Sequence, residues 1–421
     1  MNIRIGYVGL THLGINSLVA ASMRGINVVG YDINKDLVNK LNNGKLPINE
    51  PNLHENFIAK KDKMLFSSDP LVLEKCDVVY ISADVETDDD GSSNLEKTTE
   101  IIDSATKLIS QNACMIILCQ VPPGFTRSIN FDKNRLYYQV ETLIFGKALD
   151  RAYSPERFIV GKSDKQTVLP EKFRSFLSLF NCEILEMSYE SAELAKISIN
   201  CFLVSTVSTT NMLAQLCEEL PGAEWNDIRK SLHLDKRIGK HAYLSPGLGL
   251  AGGNLERDLK TLLDLSLLFS FNTESIGVWL RSSVYRKNWL IKSLRDNKKK
   301  DVKKIAVLGL AYKEDTHSTK NSPSLQFLKF LKDKDVKVHD PVVVLNPEDF
   351  PFEQVKSVRE CMRGAEVLVI ATPWSDYASI SVEEVSRVMA GRTILDPYGV
   401  LDRDSFEKEG YNYLALGSNK K

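Results

Sequence analysis

Two clusters in this chain carry residue types suited to chemistry. In the first, GYVGLTHLG, Gly9 and Gly14 stand where a dinucleotide fingerprint needs its first and third glycines. Thr11 takes the middle place, where glycine normally lets the backbone approach a pyrophosphate, so it either narrows that approach or offers phosphate a hydroxyl. The next strand, INVVGYD, ends at Asp32, whose carboxylate can take both ribose hydroxyls of NAD and repels the extra phosphate of NADP; NAD is the expected cofactor. The second cluster, HAYLSPGLGLAGGNLERDLKTL, runs from a glycine-rich loop into a helix in which Leu255, Leu259 and Leu262 recur with helical spacing. Its polar residues, Asn254 and Asp258 among them, either include a nucleophile or only bind and orient.

Composition narrows the field. The 421 residues carry 54 basic and 55 acidic side chains, a net charge of -1, which leaves no broad field to attract nucleic acid. Seven cysteines form no CxxC pair and are odd in number, which suits a reducing compartment better than a disulfide scaffold. MNIRIGYVGLTHLG has no secretory pattern, and no run of eighteen uncharged apolar residues occurs, so a cytoplasmic chain without a membrane partner is expected. The histidines are scattered, with no zinc-ligand spacing, and no metal is expected.

The elements that must position these clusters follow from pattern. An apolar strand over 2–8, the glycine turn, a helix over 14–24 and INVVGYD form a βαβ dinucleotide unit. CDVVYISA (76–83), ACMIILCQ (113–120) and DRAYSPERF (150–158), with Pro155 marking its end, are further strand candidates of a doubly wound domain. The stretch 191–220, free of Pro and Gly, predicts a helix of roughly 45 Å that links or pairs domains. After the charged linker LRDNKKKDVKK, the strands IAVLGLAY, VKVHDP, AEVLVIATPW and RTILDP form a second α/β unit. Tyr312, Lys313, Asp340, Pro341 and Thr372 to Trp374 would gather at one edge of its sheet as a second ligand site. The expected fold class is α/β, two Rossmann-like doubly wound domains joined by a long central helix and helical middle region. The expected boundaries are 1–190 for NAD, 191–295 for the central dimerisation region and 296–421 for the nucleotide sugar.

Taken together, GYVGL, VVGYD, NNGKLPINEPNL, SPERFIVG, SAELAKISIN, PGLGLAGGNLERD, VLGLAYKEDTHSTKNSP and HDP resemble the UDP-glucose/GDP-mannose dehydrogenase family, in the family order over nearly the whole chain. The resemblance implies NAD-dependent oxidation of a nucleotide sugar, in which a primary alcohol is oxidised twice to a carboxylate and a cysteine traps the aldehyde. It assigns catalytic roles to Lys196 and Asn200, which share a helix face at i and i+4, to Glu156 beside the hydrolytic water, and to Asp258. It implies that Lys313 and Lys320 contact substrate, the latter replacing an arginine without its planar fork, and that Arg237 reaches the sugar across a dimer. Tyr243, Gly249 and Gly252 are placed with the substrate, and Gln120 with the cofactor.

The chain departs from the family at the reaction centre. Asn254 aligns with the catalytic cysteine, and an amide is not a competent nucleophile. Cys119 and Gln120 replace the usual Ser-Thr, Val85 and Glu86 the usual Thr-Pro, and Tyr398 stands where an arginine is common. These changes lead to an expectation of two-electron alcohol/carbonyl interconversion with no covalent cysteine intermediate. The alternatives are four-electron UDP-sugar 6-dehydrogenation through an aldehyde hydrate and a noncatalytic nucleotide-sugar-binding role. The expected partners are a UDP-linked sugar and a second copy, as a homodimer or larger even oligomer.

Overall fold

The computed structural model describes residues 3–87, 91–296 and 302–418, so residues 297–301 of the charged linker lie outside the described residues. The chain divides into two compact units, Met1–Ile199 and Asn200–Lys421.

The strands of the first unit are β1 (Arg4–Val8), β2 (Asn27–Tyr31), β3 (Met64–Ser67), β4 (Val78–Ile81), a small hairpin β5 (Glu86–Thr87) and β6 (Ser93–Asn94), β7 (Cys114–Ile117), β8 (Leu136–Gln139), β9 (Arg157–Lys162) and β10 (Glu183–Ser188). All but the hairpin form one sheet in the order β10-β9-β8-β7-β4-β1-β2-β3. Every residue of β4 and β7 is buried, as expected of strands covered by helices on both faces. Pairing is parallel except between β8 and β9. Strand order reverses between β1 and β4, and the crevice at such a switch point is where open α/β sheets bind ligands. The expected strand over 150–158 is corrected: Ala148–Tyr153 is a helix, and β9 begins only at Arg157, beyond Pro155. The ALDRAY segment is rich in good helix formers, and proline cannot donate to a ladder.

The expected long helix spans Tyr189–Glu219, 31 residues. By length and composition it could cross a membrane. However, its Glu193 is fully buried and accepts from the amides of Gly124 (2.6 Å) and Thr126 (2.8 Å), which packs this end into the first unit.

The second unit holds the remaining helices of the middle region and a parallel sheet of β11 (Lys304–Leu308), β12 (Asp335–His339), β13 (Glu353–Gln354), β14 (Val367–Ile370), β15 (Thr393–Leu395) and β16 (Asn412–Leu414), in the order β13-β12-β11-β14-β15-β16. Its Pro323–Phe330 helix starts on proline, whose missing N–H costs nothing there. The two units repeat one turn that the sequences conceal. Gly9 (φ +92°) and Gly309 (φ +100°) each follow a first strand, and the next amide donates to a second-strand acid, Leu10 to Asp32 at 2.9 Å and Leu310 to Asp340 at 2.7 Å.

Candidate active site

In the first unit the glycine turn is built for close approach. A Cβ on Gly9 would fall 2.7 Å from that of Ala83, and one on Gly14 would fall 2.0 Å from the Gly9 carbonyl oxygen. This crowding pulls the His12–Met23 helix onto the turn and leaves the cradle a dinucleotide needs. Asp32 accepts from Leu10 N and, through its other oxygen, from Asn34 N at 2.9 Å, and each oxygen retains a lone pair for a ribose hydroxyl. Thr11 offers no free hydroxyl to phosphate: its Oγ1 donates to Ser82 O (3.2 Å) and accepts from Asp84 N (3.1 Å). Gln120 is half-buried just beyond β7. Gly14→Ala is expected to weaken NAD binding at least about tenfold and to destabilise the fold by about 2 kcal/mol, because the helix must back away from the turn. Fluorescence titration with NAD and thermal melting check both.

The carboxylate beside Lys196 is Glu141. Lys196 is 8% exposed, and its Nζ lies 3.4 Å from Glu141 Oε2. Glu156, placed near the hydrolytic water by resemblance, is 63% exposed at its side chain and sits between Arg151 (3.3 Å) and Arg157 (3.0 Å), with Arg151 foremost in holding its carboxyl below the usual range. Glu141 was legible only as a lone acid in the apolar stretch YYQVETLIF.

Glu50, from the NEPNL motif, is a second residue that sequence reasoning missed. It accepts from Gly146 N (3.0 Å), Ala148 N (3.1 Å) and His12 Nε2 (2.8 Å), and so clamps the far end of the Glu141 loop. Burial pushes its carboxyl up, but the bonds from His12 and the two amides outweigh this and leave it below the ordinary value.

In the second unit Asn200 Nδ2 donates to Asp258, which is 1% exposed and also lies 3.5 Å from Arg257 Nε. The boundary between the units falls inside the linking helix, one turn of which carries Lys196 and Asn200. Asn254 is the exposed first residue of the Asn254–Phe269 helix. Ahead of it, Gly249 lies against the Ser283 carbonyl, and Gly252 (φ +77°) donates to Lys320 O at 3.0 Å, with its Cα facing the Tyr312 ring. Asn321 binds both Gly252 O (3.0 Å) and Glu256, and Glu256 in turn pairs with Lys287 (3.0 Å), so the loop before Asn254 is tied to the Tyr312–Lys320 segment. Lys313 Nζ stands 6.0 Å from the Tyr312 ring centre.

At the expected second ligand edge, Asp340 binds Leu310, Ala311 and Trp374 together and is spent on holding them. This carboxylate accepts from Leu310 N, Ala311 N and Trp374 Nε1 through one oxygen and from Val342 N and Val343 N through the other. Arg237 is 87% exposed and forks onto Asp235, and Tyr243 is half exposed.

Neither spare cysteine is activated. Burial pushes the Cys119 thiol up to about 12, and burial followed by the nearby Asp258 charge pushes Cys201 to about 11, so both stay protonated near neutrality. Among the described residues no group of His, Cys, Asp and Glu side chains could hold a metal.

Comparison with known proteins bears on the chemistry. A curated UDP-glucose 6-dehydrogenase of Rickettsia prowazekii is 27% identical, covering 98% of this chain and 99% of its own. Two solved structures share the fold at 22% identity. They are a UDP-D-ManNAc dehydrogenase from Pyrococcus horikoshii (TM-score 0.83, 99% of each chain) and a UDP-glucose dehydrogenase from Pyrobaculum islandicum (TM-score 0.84, 100% of this chain and 98% of that one). Full-length likeness to such dehydrogenases overturns the two-electron expectation. The physical reason is that a second oxidation does not require a covalent trap, because an aldehyde hydrate is itself an alcohol with a C–H bond to give up. The chain is an NAD-dependent nucleotide-sugar oxidoreductase. Residues 3–178 match the NAD binding domain, 190–280 the central domain and 306–403 the UDP binding domain of one family, and the protein belongs to it: the UDP-glucose/GDP-mannose dehydrogenase family.

Proposed function

We propose that this protein is a UDP-sugar 6-dehydrogenase that removes four electrons from a primary alcohol and passes through an aldehyde hydrate rather than a cysteine adduct. The observation that carries the reading is the Lys196–Glu141 pair on the turn of the linking helix that also bears Asn200, itself bonded to Asp258. Bound NAD supplies the hydride acceptor, once for the alcohol and, after exchange, once for the hydrate. The Lys196 ammonium opposes alkoxide charge, and Glu141 takes the proton of the alcohol or of the attacking water. Asn200, fixed by Asp258, turns its amide oxygen toward a water or sugar hydroxyl. Water adds to the aldehyde carbonyl to give a gem-diol. Loss of hydride from its carbon and a proton from one hydroxyl leaves the acid, and the balance is two NAD and one water consumed per carboxylate. Asn254, exposed at its helix start, serves as a sugar or carbonyl ligand.

A UDP-linked substrate is supported by the match to the UDP binding domain, with Lys313, Lys320 and Tyr243 as candidate contacts. The exposed apolar residues Leu194, Phe202, Met212 and Leu216 of the linking helix support a homodimer or larger even assembly through that face, which would bring Arg237 to a neighbouring sugar. Unpaired cysteines and a nicotinamide cofactor suit a cytoplasmic setting.

Incubation with NAD and a panel of UDP-, GDP- and dTDP-sugars is expected to yield two NADH per carboxylate with a UDP-sugar, unchanged by Cys119→Ala or Cys201→Ser. One NADH per product, with aldehyde as the end product by mass, would sink the proposal.

A further inference from the structure

We infer that Arg151 is the positioning residue for Glu141: it fixes the peptide group that grips this carboxylate and so aims the acid at Lys196. Glu141 stands two residues past the end of β8, in a stretch without helix or strand over 140–147. Its carboxylate oxygens face different partners. Oε1 accepts from the Leu143 N–H, and Oε2 lies 3.4 Å from Lys196 Nζ. The Leu143 N–H belongs to the peptide group whose other end is the Thr142 carbonyl, and that carbonyl accepts from Arg151 Nε at 2.6 Å. A peptide group is planar and rigid, so holding its oxygen sets the direction of its N–H. Arg151 thus acts on Glu141 through one rigid plane.

The guanidinium has a firm base. It is carried by the Ala148–Tyr153 helix, which Glu50 holds at its start through the amides of Gly146 (3.0 Å) and Ala148 (3.1 Å). Arg24 holds the other end, donating to the Tyr153 carbonyl at 2.6 Å with its guanidinium 3.9 Å from the centre of the Tyr153 ring. On its outer edge Arg151 Nη1 donates to Glu156 at 3.3 Å, which orients the fork and leaves Nε to Thr142. The loop needs such a tie, because a cavity of about 60 Å³, walled in part by Glu141, Leu143 and Arg151, gives it room to move. The bond from Val140 N to Ile159 O (3.0 Å) secures only the strand side of Glu141. Without Arg151 the Thr142–Leu143 peptide can turn over, and the carboxylate then swings away from Lys196. A displacement of about 1 Å at a reacting group costs about a hundredfold in rate. The effect of Arg151 on turnover rests on the proposed reading, in which Glu141 takes the proton of the alcohol or of the water.

Arg151→Met keeps the apolar stem and removes the donor, and Arg151→Lys restores a donor that can reach the same carbonyl. With UDP-glucose, or whichever UDP-sugar of the panel is turned over, the methionine variant is expected to lose about thirtyfold in kcat, with KM for the sugar and the dissociation constant for NAD within about twofold. The lysine variant should return to within about fivefold of wild type. Because Arg151 acts through Glu141, Arg151→Met should cost no more than about twofold further in a Glu141→Gln protein, a non-additivity that a merely structural role would not produce. Hydrogen exchange on the full chain reads the same tie without turnover, and the Leu143 amide is expected to exchange about tenfold faster in Arg151→Met. Arg151→Leu takes its place if the methionine variant melts early. A kcat within about threefold of wild type in Arg151→Met, or its full loss repeated on top of Glu141→Gln, would overturn the positioning role alone. A Glu141→Gln protein that turns over at the wild-type rate would instead remove Glu141 from proton transfer, and the role of Arg151 with it, so the two failures are told apart.

Discussion

Lys196→Ala is expected to lower kcat about a thousandfold while leaving the dissociation constant for NAD within about twofold. The lysine is 8% exposed, and its partner Glu141 lies 3.4 Å away and is itself largely shielded, so little water is present to replace the ammonium. A charge held in such surroundings is worth far more to a developing alkoxide than the same charge at a surface. Among the described residues, the glycine turn and Asp32, the candidate dinucleotide contacts, share no hydrogen bond with Lys196, and this is why affinity for NAD is expected to survive. Single-turnover kinetics, NAD titration and a melting curve on one preparation separate lost chemistry from lost fold. Turnover within tenfold of wild type, with the fold intact, would remove Lys196 from the mechanism and with it the observation that carries the proposed function.

The second large effect is expected at Asp258. Asp258→Ala should cost about 3 kcal/mol of stability, the scale for removing one partner of a buried charged pair, and should lower kcat at least about a hundredfold. The carboxylate is 1% exposed, receives the Asn200 amide and stands beside Arg257, which is also buried. Next to it Leu259 packs with Val204, Leu250 and Ile276, so the helix cannot shift to refill the space. Asp258→Asn distinguishes shape from charge: it should recover part of the melting temperature but not the rate, since a neutral amide cannot compensate the guanidinium. Full recovery of both in the asparagine variant would reduce Asp258 to a packing residue.

Much of the architecture was legible because its signals are local. Glycine at positions 9 and 14, an acid at the end of the second strand, four-residue apolar runs at 78–81 and 114–117, and a long stretch without Pro or Gly are each short-range statements about backbone geometry. What escaped depends on residues far apart in the chain. Glu141 and Lys196 are 55 positions apart and Glu50 and Ala148 are 98 apart, and no periodicity relates them. SPERF drew attention to Glu156 by resemblance, and only the fold shows that its exposed side chain pairs with Arg151 and Arg157. The two-electron expectation failed for a related reason: it inferred the number of hydrides from the single residue Asn254, whereas the likeness to UDP-glucose 6-dehydrogenases extends over 98% of the chain.

By itself, the sequence determined the fold class, the NAD cofactor and the glycine turn after the first strand, because each follows from side-chain chemistry at one place or from spacing within a few residues. Only the tertiary structure decided which carboxylate meets Lys196, that the Thr11 hydroxyl is spent on the Ser82–Asp84 segment, and that Glu50 clamps the Gly146–Ala148 turn. Those outcomes depend on where parallel strands deliver their following loops, and such convergence is a property of the folded sheet, invisible in the order of residues along the chain.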